Sequence, residues 1–148
     1  MYVLTSNQLI LDEFVLSIFK CSLEGLIDEK EVGTGIELCD GAMGIGSKIY
    51  YTKITETGKE EKLYEEDDEA TIKAIKKLKL YSYDMKSSKE KELTEVDIKE
   101  FGKDAYGISM IDSPNDDWCK VYIDYDKIGT PTIYKYTYAT KKFEKIEN

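Results

Sequence analysis

The sequence contains no histidine and, over its 148 residues, no arginine; all 21 of its basic residues are lysine. Without imidazole, no side chain has an ordinary pKa near neutrality. Ser-His-Asp and Cys-His nucleophilic sets are therefore excluded. Without guanidinium there is no planar fork for bidentate recognition of carboxylate or phosphate. Cysteine occurs three times, as Cys21, Cys39 and Cys119. The count is odd and no Cys-x-x-Cys is present, so neither a zinc ribbon nor a disulfide framework is indicated. Three buried thiols in a reducing compartment are expected instead. Long apolar runs are missing too. The stretch from Leu9 to Ile27 is interrupted by Asp12, Glu13, Lys20 and Glu24, which points to a buried helix rather than a membrane span. The opening residues, Met1-Tyr-Val-Leu-Thr-Ser6, lack the basic segment of a signal peptide, so a cytoplasmic location is expected. Lysine throughout, in place of arginine, also fits AT-rich coding. The absence therefore describes what the surface can do and not why it arose.

Enough apolar material is present for a core. The hydrophobic fraction is 41%, with 12 Tyr, 4 Phe and 1 Trp, and a chain of this size buries roughly 70% of its unfolded surface. Charged residues make up 34% but are mixed in sign, which argues against global disorder. The net charge of −9 is uneven: residues 1–69 carry −10, residues 70–118 carry −1 and residues 119–148 carry +2. Such a chain repels nucleic acid and anionic lipid and attracts a basic partner.

Local patterns suggest one mixed domain over residues 1–148. Tyr2 to Leu4 reads as a short strand. Ser6 or Asn7 then caps a long helix, with Leu11, Val15, Ile18, Ser22 and Leu26 on one face. Ile36 to Cys39 reads as a strand, and residues 41–48 as a glycine-rich loop. Ile49 to Thr55 and Glu61 to Tyr64 form a hairpin turning at Glu56-Thr-Gly-Lys59. The acidic run Glu65 to Glu69 opens a second helix reaching Lys79, with Ile72, Ile75 and Leu78 inward and a Glu69–Lys73 pair. Leu80 to Met85 is a strand, and Thr94 caps a short helix over Val96, Ile98 and Phe101. Ala105 to Ile111 is a strand, and residues 112–117 are a turn. Trp118 to Tyr125 and Thr132 to Ala139 alternate strictly, and Phe143 to Ile146 follows, giving an antiparallel meander. The expected fold class is α+β: an antiparallel sheet built from hairpins, packed by a long N-terminal helix and one or two shorter helices.

No motif for a known chemistry is complete. Gly41-x-x-x-x-Gly46 is followed by Ser47-Lys48, the reverse of the order in a phosphate-binding loop, and a strand follows where a helix is required. Asp124-x-Asp126-x-x-Gly129 resembles the start of a calcium loop, but Ile128 and Lys135 occupy ligand positions. Paired carboxylates such as Asp116, Asp117 and Asp124 could in principle serve glycoside hydrolysis, but the chain offers no evident cleft for it. Cys119 shares an inward face with Val121 and Ile123 and reads as inert core. No catalytic residue, metal site or cofactor is expected.

Two surfaces remain as candidates for contact with a partner. One is the carboxylate patch of Glu60, Glu61, Glu65, Glu66, Asp67 and Asp68. The other is a tyrosine stripe of Tyr134, Tyr136 and Tyr138, joined across the hairpin by Tyr122, whose rings either cover a core or form a recognition platform. The leading expectation is a small acidic inhibitor that occludes the basic surface of another protein, with no direct nucleic-acid or membrane contact. Bacterial immunity proteins and phage anti-defence proteins are of this physical type, an analogy of charge and size. A metal-dependent protein or enzyme using only carboxylates, and a structural or assembly protein, are the alternatives.

Overall fold

Two-residue alternation, rather than helical spacing, governs the backbone. The computed structural model describes residues 2–8, 14–22, 25–34, 42–65 and 68–146. Its strands are β1 (Tyr2–Gln8), β2 (Phe14–Ser22), β3 (Gly25–Thr34), β4 (Ala42–Ile45), β5 (Lys48–Glu65), β6 (Asp68–Asp84), β7 (Lys89–Asp97), β8 (Gly107–Asp112), β9 (Trp118–Asp124), β10 (Thr132–Thr137) and β11 (Lys142–Lys145). Among the described residues the one helical element is a 3₁₀ turn, Ile98–Phe101. The strands form three sheets, in the orders β1-β2-β3, β4-β5-β6-β7 and β11-β10-β9-β8. Each is a meander, in which chain neighbours are also sheet neighbours.

The α+β expectation is therefore corrected to an all-β fold. Within the region expected to form the long N-terminal helix, residues 14–22 form strand β2, which pairs antiparallel with β1 from Gln8↔Phe14 to Tyr2↔Lys20, while Leu26 lies in β3 and Leu11 lies outside the described residues. The sequence Phe14-Val-Leu-Ser-Ile-Phe19 is rich in β-branched and aromatic residues, which lose side-chain freedom in a helix and fit a pleated surface. Ser6 and Asn7, expected to cap that helix, lie within β1. The second expected helix is β6. Its Ile72, Leu78, Leu80 and Ser82 all fall on one face of a strand, and the last three are buried. Lys73 pairs with Glu60 of β5 at 3.8 Å, where the helical reading gave it Glu69. The turn expected at residues 56–59 is also absent, because β5 runs unbroken through it. The helix expected from Thr94 shrinks to the 3₁₀ turn, capped by Asp97, whose Oδ1 accepts the Lys99 N–H at 3.0 Å. The strand expected at Ile36 to Cys39 lies outside the described residues. The strands from Gly107 onward and the turn at 112–117 stand as expected.

The chain divides into two compact units. The first comprises Met1–Lys53 and Leu80–Glu92. In it β4 and β5 form a hairpin, Ala42↔Tyr51 to Ile45↔Lys48, closed by Gly46-Ser47. Gly46 has φ 63°, the left-handed conformation that the first central residue of a two-residue hairpin turn demands and glycine takes without strain. The glycine-rich loop thus has a structural explanation. Ile49, Tyr50, Tyr51 and Thr52 are all buried, so both faces of β5 are covered here. Tyr51 stacks on Tyr81 (centroids 5.4 Å, planes 13° apart), and the Lys53 ammonium sits 4.9 Å from the Tyr81 ring centroid. The Tyr51 hydroxyl donates to Glu90, and burial, followed by that carboxylate, raises its pKa.

The second unit comprises Ile54–Lys79 and Leu93–Asn148. Its core lies on one face of the β8–β11 sheet. Strand β9 contributes Cys119, Val121 and Ile123, β10 contributes Tyr134 and Tyr136, and β8 contributes Ile108 and Ile111. The register Tyr136↔Cys119 and Tyr134↔Val121 places these side chains on the same face. The 3₁₀ turn closes this face. Phe101 meets Tyr134 at 5.2 Å, Tyr136 at 6.0 Å and Phe143 at 4.6 Å between centroids. Polar tips are satisfied around the rings: Tyr136 donates to Glu100 at 2.7 Å, and the Tyr125 and Tyr134 hydroxyls meet at 2.6 Å. Gly107 begins β8 where space is tight, since a Cβ there would stand 3.2 Å from the Ala74 Cβ.

The buried ring of Phe101 joins the turn to β10 and β11. Phe101→Ala is expected to lower the unfolding free energy by about 3–5 kcal/mol. Phe143, 38% exposed, loses less water-excluded area, so Phe143→Ala should cost roughly half as much. Urea unfolding followed by fluorescence measures both, and an unchanged midpoint for Phe101→Ala would contradict this packing.

Candidate functional site

The expected contact residues separate into different environments. Glu60 is exposed on β5, at 61% of its side chain, and holds Lys73 loosely. Glu61 is engaged internally: Lys127 pairs with its carboxylate and Tyr106 donates to it at 3.2 Å. The Lys127 hydrogen bond, followed by Tyr106, holds the Glu61 carboxyl below its ordinary pKa. Glu65 and Asp68 end β5 and begin β6, while Glu66 and Asp67 lie outside the described residues.

The tyrosine stripe belongs to the core. Tyr136 is fully buried, and Tyr134 and Tyr138 are 9% and 8% exposed, so the structure places these three rings inside rather than on a platform. Tyr122 does not join them. It lies opposite Ile133, on the other face of the sheet, with Trp118 and Lys120. That outer face is half-exposed, and the Lys135 ammonium lies 5.2 Å from the Trp118 ring centroid. The strict alternation of 118–125 already divided Trp118 and Tyr122 from the inward residues. What it did not reveal was the pairing register that sends Tyr134 and Tyr136 to the inward side.

Strand β5 has a further property. Its pairing with β4 ends at Tyr51, so among the described residues it is an edge strand from Ile54 onward. Thr55, Glu56, Thr57, Lys59 and Glu60 of this edge are exposed. Charged side chains on such an edge discourage indiscriminate strand pairing.

A concavity of the second unit has a volume of about 630 Å³. Four lysines, Lys59, Lys76, Lys99 and Lys103, line it together with Glu56 and Asp97. Both carboxylates are answered by Lys77 of β6, which stands 3.4 Å from Glu56 and 3.2 Å from Asp97. These bonds, the one to Asp97 foremost, raise the Lys77 pKa. For Asp97, desolvation favours the neutral acid, but the Lys99 N–H and the Lys77 ammonium outweigh it and its pKa is lowered. Lys76 donates to the Tyr106 carbonyl, and its ammonium lies 5.0 Å from the Tyr106 ring centroid. Sequence reading missed this cavity because its lining comes from 56–59, 76 and 97–105, segments that acquire proximity only through strand pairing. Among the described residues no group of three His, Cys, Asp or Glu is arranged to hold a metal ion. Among them, too, no helix is long and apolar enough to cross a membrane.

Cys119 is enclosed between strands. Burial pushes its thiol up to about 12, a shift that the Tyr138 hydroxyl partly opposes, so almost no thiolate forms near neutrality. No family model matches the sequence, and no curated protein and no solved structure matches it either.

Two outcomes follow. In a variant with Cys21→Ser and Cys39→Ser, an aromatic disulfide reagent at pH 8 should label Cys119 only after denaturation; rapid labelling of the native protein would show an open thiol. Asp97→Ala, which removes the cap and the partner of Lys77, should lower stability at pH 7 by about 1 kcal/mol. Because the folded pKa of Asp97 is depressed, its charge contributes above the unfolded value of about 3.9 and is lost as pH falls through the lower folded value. The difference between parent and variant in urea midpoints should therefore narrow below about pH 4.

Proposed function

We propose that this protein is an acidic protein-binding domain of the inhibitor type, which covers a basic surface on a partner protein in the cytoplasm. The observation that carries this reading is the charge of −10 concentrated in residues 1–69. Such a field draws a cationic surface toward it and sets orientation before contact. The exposed stretch of β5 supports the reading: among the described residues its pairing with β4 ends at Tyr51, and it carries the carboxylates Glu56 and Glu60, which lie beside Lys77 and Lys73 of β6. Extended partners bind such edges by adding a strand. The contact set differs from the one read in the sequence: the three core tyrosines leave it, and Trp118 with Tyr122, half-exposed on the outer face of β9, supplies the aromatic contribution. Aromatic residues with one face toward solvent are the kind that dominate binding energy once covered. The mode of action is occlusion, which requires no catalytic group and no bound cofactor.

The test is capture from an extract of the source cell at low and physiological salt, compared with a variant carrying Glu60→Lys, Glu65→Lys and Glu66→Lys. The expected partner is basic. Its association rate should drop about tenfold or more between the two salt conditions and again with the variant. A captured protein held equally by parent and variant, without salt dependence, would overturn the electrostatic basis of this reading.

A further inference from the structure

The cavity between β5, β6 and the 3₁₀ turn contradicts the charge of the rest of the chain. The protein carries −9 overall, yet four lysines line this one concavity against two carboxylates, which share Lys77 as a further counter-charge. Among the described residues, no carboxylate lies within ion-pair distance of Lys59, Lys99 or Lys103. Lysines lining one concavity raise the positive potential within it, and an anion bound there lowers that potential. Lys76 spends one N–H on the Tyr106 carbonyl, and an ammonium has two more to give.

The remaining lining is suited to an organic group. Buried Ile98 and half-buried Ala105 are apolar, and Gly58 and Gly102 present bare backbone. A volume of about 630 Å³ exceeds what a lone phosphate fills and falls within the roughly 300–1,000 Å³ of small-molecule sites. Lysine binds phosphate as a point charge without the fixed fork of arginine, which suits adjoining phosphates of variable orientation.

We infer that this cavity binds a small molecule carrying two adjoining phosphates on an organic body, with the charge and size of a nucleoside diphosphate. Lys59, Lys99 and Lys103 neutralise the phosphates, and Ile98 and Ala105 contact the body. The inference rests on a different feature from the partner-binding reading, the lysines of the concavity, although Glu56 and Lys59 belong to both surfaces.

Titration calorimetry with the full chain at low salt, using ADP, pyrophosphate and adenosine as probes, tests it. ADP should bind, pyrophosphate should bind more weakly, and adenosine should give no heat. A Lys99→Glu, Lys103→Glu variant should weaken ADP by at least roughly tenfold, while Lys142→Glu, an exposed change on β11, should leave affinity unchanged. Lys103 is exposed and Lys99 faces Asp97, so a lowered melting temperature without ligand would be assigned to Lys99→Glu, and Lys103→Glu with Lys59→Glu provides a second variant that leaves Asp97 its neighbour. No binding of either phosphate probe would overturn the inference, as would equal losses from Lys99→Glu, Lys103→Glu and from Lys142→Glu.

Discussion

A strand cannot satisfy its own backbone, so every N–H and C=O of β5 and β6 must find a partner on a neighbouring strand or in solvent. These two strands, 18 and 17 residues long, belong to both compact units: β5 leaves the first after Lys53, and β6 re-enters it at Leu80. Their order beside β4 and β7 therefore determines which residues become core in each unit. A slip of one residue would reverse every side chain on the pair. Leu78, Leu80 and Ser82 would exchange faces with Lys77, Lys79 and Tyr81, and buried methyl groups would be replaced by ammonium. The hydrophobic pattern thus fixes the register as firmly as the turns do.

The same constraint explains which parts of the fold were legible beforehand. Strands β9 and β10 were readable because their inward and outward residues differ sharply: Val121 and Ile123 against Lys120 and Asp124. Strand β6 was not, because Ile72, Ile75 and Leu78 satisfy a helical face while Ile72, Leu78 and Leu80 satisfy a strand face. Its acidic start and lysine-rich end match a helix dipole equally well. The deciding fact is tertiary: β5 supplies a partner, and Lys73 and Lys77 find Glu60 and Glu56 on it rather than acids one helical turn away. At β2 the aromatic and β-branched content was the better guide: Val15, Ile18 and Ser22 of the expected helical face lie in that strand, and Leu26 lies in β3.

The candidate sites divide similarly. Net charge needs no structure, so the acidity of residues 1–69 was visible at once. Whether a tyrosine serves a surface or a core depends on register, and Tyr134 and Tyr136 went inward because they lie opposite Val121 and Cys119. Their hydroxyls are accommodated there by Glu100 and Tyr125, which lets an aromatic core carry polar tips at little cost. A cavity assembled from three separate segments leaves no trace in local pattern.

Lys77 links the two levels. Its ammonium bridges Glu56 on β5 and Asp97 at the end of β7, across three adjacent strands. Each bond is partly exposed and weak by itself, and together they add to the positive surplus of the space beside them. With Lys77 in place, the charge of one of the two carboxylates is offset, and the neighbouring lysines outnumber the other. Without it, two carboxylates would oppose four ammonium groups, and the positive surplus would shrink by one charge. Asp97 adds a mechanical part, because the same carboxylate that meets Lys77 also accepts the Lys99 N–H and starts the 3₁₀ turn. That turn carries Phe101 into the aromatic core and presents Ile98 and Lys99 to the cavity. One carboxylate therefore couples strand pairing, core closure and the electrostatics of the concavity, so a change at residue 97 should be felt in stability and in anion preference together.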